Sequence, residues 1–96
     1  MAQAEPILRV ETEDVRVIEW RFAPGAETGP HRHGYDYVVV PLTKGKLRAV
    51  AASGETLAEL QPGVAYFRKA GVEHNVFNAG SEPMAFVEIE LKGRPG

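Results

Sequence analysis

The sequence of 96 residues contains no cysteine. Disulfides, thiolate metal ligands and cysteine nucleophiles are thereby excluded, and the composition fits a reducing compartment. There is also no excess of one charge. Eleven Lys and Arg stand against 13 Asp and Glu, for a net charge of -2, and no basic stripe or long run of like charges interrupts the mixture. Nucleic acid and anionic membrane are poor partners for such a chain. No segment approaches the length of a membrane span, and the N-terminal MAQAEPILRVETED has no apolar stretch long enough for a signal peptide. The expectation is a soluble, cytoplasmic protein. Helix signals are missing as well. The stretch ETLAEL could make one helical turn on composition, but Gly54 before it and Pro62-Gly63 after it close it in.

What is present argues for strands. RVIEWRF at 16–22 alternates, with Ile18, Trp20 and Phe22 on one face. YVVVPL at 37–42 is a continuous apolar run, which suits a strand covered on both faces. Residues 46–52 and 64–69 are further candidates. MAFVEIEL at 84–91 puts Ala85, Val87, Ile89 and Leu91 on one side and Glu88 and Glu90 on the other. Pro41 cannot donate to a ladder, so a kink or bulge is expected there. Glycines punctuate these runs at spacings of one short strand plus one turn, the pattern of an antiparallel sandwich or barrel. AGSEP at 79–83 reads as a hairpin loop, and SGE at 53–55 as another. The first dozen residues and the tail from Gly93 are expected to be loose ends, with residues 7–10 able to add an edge strand.

At this length the chain is one domain, residues 1–96, with its core at about 15–91. A chain so short buries a limited share of its surface. Pairing into a homodimer would bury more and would cover exposed sheet edges.

Two of the three histidines stand one residue apart in PHRHGYDY. In an extended chain His31 and His33 project to the same side, as two imidazoles must to hold one metal ion. The third, His74, lies in KAGVEHNVFNAG at the entry to another strand. One neighbouring strand could bring it opposite the pair. Three neutral imidazoles on one side of an ion leave positions open for water or substrate, as catalytic sites do.

The arrangement resembles the cupin family. Gly25, five residues, then His31-Arg32-His33 match the opening of the first cupin motif. Gly63, five residues, Lys69-Ala70-Gly71, two residues, His74, three residues and Asn78 match the second. Gly45 falls close to the glycine that ends the first motif. The resemblance spans about residues 15 to 91. It implies an all-β fold, a small antiparallel double-stranded β-helix (a jelly-roll barrel like that of RmlC) of six to eight strands and essentially no helix, with His31, His33 and His74 as metal ligands. The stretches EWRFAPGAETGPHRHGYDYVVVPLT and AGVEHNVFNAGSEPMAFVEIE are similar to a cupin subgroup named for a role in β-alanine degradation, a name that implies a catabolic setting.

Two positions depart from the family pattern. Tyr37 stands where a glutamate ligand is usual, and Lys69 where proline is usual. The neighbouring Asp36 has the wrong strand parity to replace the glutamate. An ion held by three neutral histidines keeps its full charge and has an additional open position, which favours an anionic substrate. The resemblance to three-histidine cupin dioxygenases implies Fe(II), with Zn, Ni, Mn or Cu as alternatives. Tyr37 could donate a hydrogen bond to substrate or O₂, could ligate as a phenolate once its proton is lost, or could be an aromatic filler on the barrel wall. Tyr35 shares its parity but lies in a loop. Arg68 could meet a substrate carboxylate or be an ordinary surface residue, Trp20 and Phe22 read as core, Asn78 as a backbone brace near the site, and Glu73 as outward-facing. The sequence offers no general base besides the histidines. Three functions follow: an Fe(II) dioxygenase on a small anionic metabolite, a Lewis-acid metal isomerase or lyase, or a non-catalytic small-ligand or metal-binding module.

Overall fold

A computed structural model describes residues 2–93. Met1 and residues 94–96, most of the expected loose tail, lie outside the described residues. Among the described residues nine strands follow in order: β1 (Glu5–Glu11), β2 (Val15–Phe22), β3 (His31–Arg32), β4 (Asp36–Pro41), β5 (Gly45–Ala51), β6 (Gly54–Leu60), β7 (Tyr66–Arg68), β8 (Glu73–Asn78) and β9 (Met84–Leu91). No helix occurs among them, so none is long and apolar enough to cross a membrane. The count exceeds the expected six to eight because β3 and β7 are only two and three residues long. The stretch from Gly54 to Leu60 is a strand, and the early residues form an ordered edge strand, β1.

The strands form two antiparallel sheets, ordered β1-β2-β9-β4-β7 and β3-β8-β5-β6. Cross-strand charges assist the register. Glu11 lies directly opposite Arg16 and accepts from its Nε at 3.0 Å. The β1–β2 ladder shifts between Leu8 and Val10, and Arg9 at this irregularity reaches Glu19 at 3.1 Å. Phe22, Val39, Leu47, Leu60, Val76, Met84 and Phe86 fill the space between the sheets. Trp20 packs against this core, and the rings of Phe22 and Phe86 lie 5.4 Å apart.

Three sequence expectations change. Residues 79–83 do not form a hairpin, because β8 and β9, which they join, belong to different sheets. The segment is a crossover, whereas Gly54 opposite Ala51 makes the true hairpin. Pro41 introduces no bulge. It pairs in register with Phe86 as the last residue of β4, where its lack of an N–H ends the strand, and its carbonyl accepts from Gly63 at 2.9 Å. The apolar run of β4 is covered on one face only, with Tyr37, Val39 and Pro41 buried and Val38 and Val40 half-buried on the outer face.

Strand β9 has the alternation read from its sequence, but its acidic side faces inward. Met84, Phe86 and Glu88 are buried between the sheets, and Val87 and Ile89 sit on the outer face. Gly45 shows how closely the sheets meet. A Cβ added there would stand 2.9 Å from the Cβ of Met84. Gly45→Ala is expected to lower unfolding stability by about 1–3 kcal/mol through this overlap. Gly34→Ala, which meets nothing within 4 Å, should leave the urea midpoint close to that of the parent.

Candidate metal centre

Two backbone connections assemble the centre. Strand β3 pairs with β8 so that His31 lies directly opposite His74. Beyond β3 the pairing continues, with the His33 N–H donating to the Val72 carbonyl at 3.0 Å and the Gly71 N–H donating to the His33 carbonyl at 2.8 Å. Gly71 adopts φ +96°, a left-handed conformation that a side chain would strain. That turn lets the second motif both hold His33 and enter β8 towards His74.

The three imidazoles converge. Nε2 of His33 lies 3.0 Å from Nε2 of His31 and 3.1 Å from Nε2 of His74, and the three candidate ligand atoms fall within 4.8 Å of one another. His33 is buried and the other two are half-buried. Nδ1 of His31 lies 2.8 Å from the Gly29 carbonyl, which can only accept, so this nitrogen carries the proton and Nε2 presents a lone pair to the centre. Thr28 and Asn75 fix the loop that carries His31. The Gly29 N–H donates to Asn75 Oδ1 at 3.0 Å, and the Thr28 N–H to the Val76 carbonyl at 2.9 Å.

The donor set fits a divalent transition metal. With metal–nitrogen bonds of about 2.1 Å, ligands at right angles stand about 3.0 Å apart and tetrahedral ligands about 3.4 Å apart. The two short separations match the right-angled case. Burial, then the neighbouring His31, pushes both His33 and His74 down to about 4, so both imidazoles are neutral and able to ligate at neutral pH.

Tyr37 stacks on His33, with centroids 3.9 Å apart and planes at 22°. Burial, reinforced by Glu88, raises its phenol far above the usual range, so the hydroxyl keeps its proton. Tyr37 and Tyr66, with Val39, Phe86, Glu88 and His74, line a cavity of about 260 Å³ between the sheets. Arg68 is exposed but also lines this cavity, its guanidinium 4.6 Å from the centre of the Tyr66 ring. Asp36 accepts from the Ala70 N–H at 2.8 Å, and Glu73 is exposed beside Arg32. Asn78 does brace the backbone, but at the far end of β8. Its amide donates to the Glu82 carbonyl at 2.8 Å and accepts from the Gly80 N–H at 2.9 Å. Tyr35 is exposed, and Trp20 and Phe22 belong to the core.

A family model described as the cupin domain matches residues 18–90. The chain belongs to the cupin family. It is 60% identical over 90 residues to the β-alanine degradation protein BauB of Pseudomonas aeruginosa, covering 94% of this chain and 95% of that protein. A crystal structure of a cupin domain from Bordetella pertussis superposes with a TM-score of 0.93 at 49% identity, covering 96% of each chain. A double-stranded β-helix protein from Klebsiella pneumoniae gives 0.78 at 26% identity, covering 98% of this chain and 81% of the other. The cupin jelly roll expected from the two motifs is therefore the fold.

Glu88 is the residue that sequence reasoning missed. It is 7% exposed, its Oε1 lies 3.9 Å from Nδ1 of His33, and burial, followed by Glu90, raises its carboxyl to about 7. Its signal was available: Met84 and Phe86, the largest apolar side chains of β9, share its face. In the metal-free protein this acid destabilises the fold. Below its ordinary value of 4.5 the group is protonated whether folded or unfolded, and the cost is absent. As pH rises to 7 the unfolded chain loses the proton before the folded one, and the cost grows to at most about 3 kcal/mol. Metal-free Glu88→Gln should therefore melt above the parent at pH 8, with the gap closing towards pH 4.5 in thermal scans.

Proposed function

We propose that this cupin is a mononuclear metal-dependent enzyme, most consistent with an Fe(II) dioxygenase acting on a small anionic metabolite. The observation that carries the reading is the convergence of the Nε2 atoms of His31, His33 and His74 beside a cavity that His74 lines. His31, His33 and His74 would hold the ion. Bound Fe(II) would supply redox chemistry and open positions where substrate and O₂ can meet.

The chain's own residues shape what can enter. About 260 Å³ admits a small metabolite. Arg68 at the cavity wall can pair with a substrate carboxylate. The Tyr37 hydroxyl, which stays protonated, can donate to a substrate or to O₂, while its ring holds His33 by stacking. The name of the Pseudomonas relative concerns β-alanine degradation, and β-alanine carries the carboxylate that this cavity suits. Glu88 favours a second reading, a Lewis-acid isomerase or lyase, because it supplies the acid–base group that such chemistry uses.

Protein purified without affinity tag or chelator should carry near-stoichiometric iron by elemental mass spectrometry, and His31→Ala/His74→Ala should carry none. The iron-loaded parent should consume O₂ with a member of a panel of small carboxylates. Zinc or nickel, with turnover but no O₂ uptake, would transfer the assignment to the Lewis-acid reading. Failure to take up any metal on reconstitution would remove both.

We also propose that two chains pair through the outer face of the five-stranded sheet. Val17, Ile89, Val38 and Phe67 form one row across β2, β9, β4 and β7 on that face. Phe67 is 49% exposed. Light scattering should report a dimer for the parent and a monomer for Ile89→Lys. A monomeric parent overturns the pairing.

A further inference from the structure

The dioxygenase reading leaves one buried group of the cavity, Glu88, without a task. Glu88 projects from β9 between the sheets, and its Oε1 faces Nδ1 of His33 at 3.9 Å. The same imidazole points its other nitrogen, Nε2, into the centre, 3.0 and 3.1 Å from the other two ligand nitrogens. His31 differs, because its outward nitrogen is held by a neutral backbone carbonyl. His33 is thus the imidazole whose far side looks at a carboxylate.

This placement bears on a deficit in the site. Three imidazole ligands bring no negative charge, so they would leave a divalent ion its full charge beside a cavity lined by His74, Val39, Leu47 and Phe86. Position 37, where a carboxylate ligand would halve that charge, carries a tyrosine whose ring is committed to His33. No acid joins the histidines in the ligand cluster among the described residues.

We propose that Glu88 supplies the missing negative charge from β9 and acts on the ion through His33, as a positioning and charge-balancing residue rather than a ligand. The inference rests on the three-histidine reading. At 3.9 Å the two groups are at ion-pair distance and beyond hydrogen-bond length. A negative charge behind a ligating imidazole strengthens the nitrogen on its far side as a donor; removal of a hydrogen-bonded partner there typically weakens metal affinity by about 10–100-fold, which bounds the effect at this longer distance from above. The same charge brings the site from +2 to +1 without occupying a coordination position. Metal is held more tightly as a result, and an added anion less tightly, than at three histidines alone.

Cobalt(II), whose visible spectrum reports its ligands, tests both consequences on the full chain. The parent, Glu88→Gln and Glu88→Asp are titrated first with Co(II) and then, once loaded, with azide. Glu88→Gln should lose about 10-fold in Co(II) affinity, the low end of the hydrogen-bonded range, and at the same time gain several-fold in azide affinity, with Glu88→Asp closer to the parent in both. Damage to the fold of the site would loosen cobalt and azide together, and that result overturns the proposal. So does a Glu88→Gln protein indistinguishable from the parent. If Glu88→Gln does not fold, Glu88→Asp is read alone and must move in the same two opposite directions. A parent that binds no Co(II) overturns the three-histidine reading itself. A parent that binds it with no response to Glu88 overturns only the charge-balancing role of that residue.

Discussion

The site depends on the pairing of β3 with β8. Only His31–His74 and Arg32–Glu73 are in register there, yet this short ladder joins the two segments that carry every candidate ligand. It is extended by the bonds from the His33 N–H to Val72 and from the Gly71 N–H to His33. These contacts link residues far apart in the chain, so they form at the cost of closing a long loop. That cost is borne by the larger core, with Phe22, Leu47, Val76 and Phe86 packed between the sheets. The histidine cluster is therefore a product of the completed barrel. Backbone pairing specifies which residues face one another, and side-chain chemistry decides only what they do once there.

His33 and Glu88 show which force governs the interior. An ion pair at close range would raise the histidine and lower the acid. Both shifts run the other way, the imidazole to about 4 and the carboxyl to about 7, with burial as the leading cause of each. Desolvation outweighs the attraction across 3.9 Å, so the metal-free pair is neutral over much of the range between those values. A buried acid with no charge to balance is a cost to the fold. A divalent cation at the imidazoles would reverse that balance, because the carboxylate would then face positive charge. Tolerance of Glu88 in so small a core is thus understandable as stability given up for the site.

Much of this was legible in the sequence, for a definite reason. His31, His33 and His74 were identifiable because two separately spaced motifs resemble the cupin ligand pattern, with the one-residue spacing of His31 and His33 in agreement. Strand β9 was bounded correctly and its alternation was read correctly. What alternation cannot say is which face is inside. That depends on packing against the other sheet, and Phe86 and Met84 decided it in favour of the side carrying Glu88. The segment at 79–83 failed for a related reason. Its length and composition identify a tight connection, but whether the joined strands pair is fixed by non-local topology. Pro41 was recognised as disruptive, and only the ladder shows that it terminates β4 rather than bending it.

The five-stranded sheet departs from the ordinary rule of apolar inside and polar outside in two linked ways. Its inner face carries Glu88, Glu90 and two tyrosines, and its outer face carries Val17, Val38, Val40, Val87 and Ile89. The two follow from a single register, since a slip of one residue in β9 would put Glu88 in water and Val87 in the core. The same slip would expose Met84 and Phe86, so burial of these two large side chains holds the register and carries Glu88 inward with them. The inward acid and the outward valines are thus consequences of one constraint.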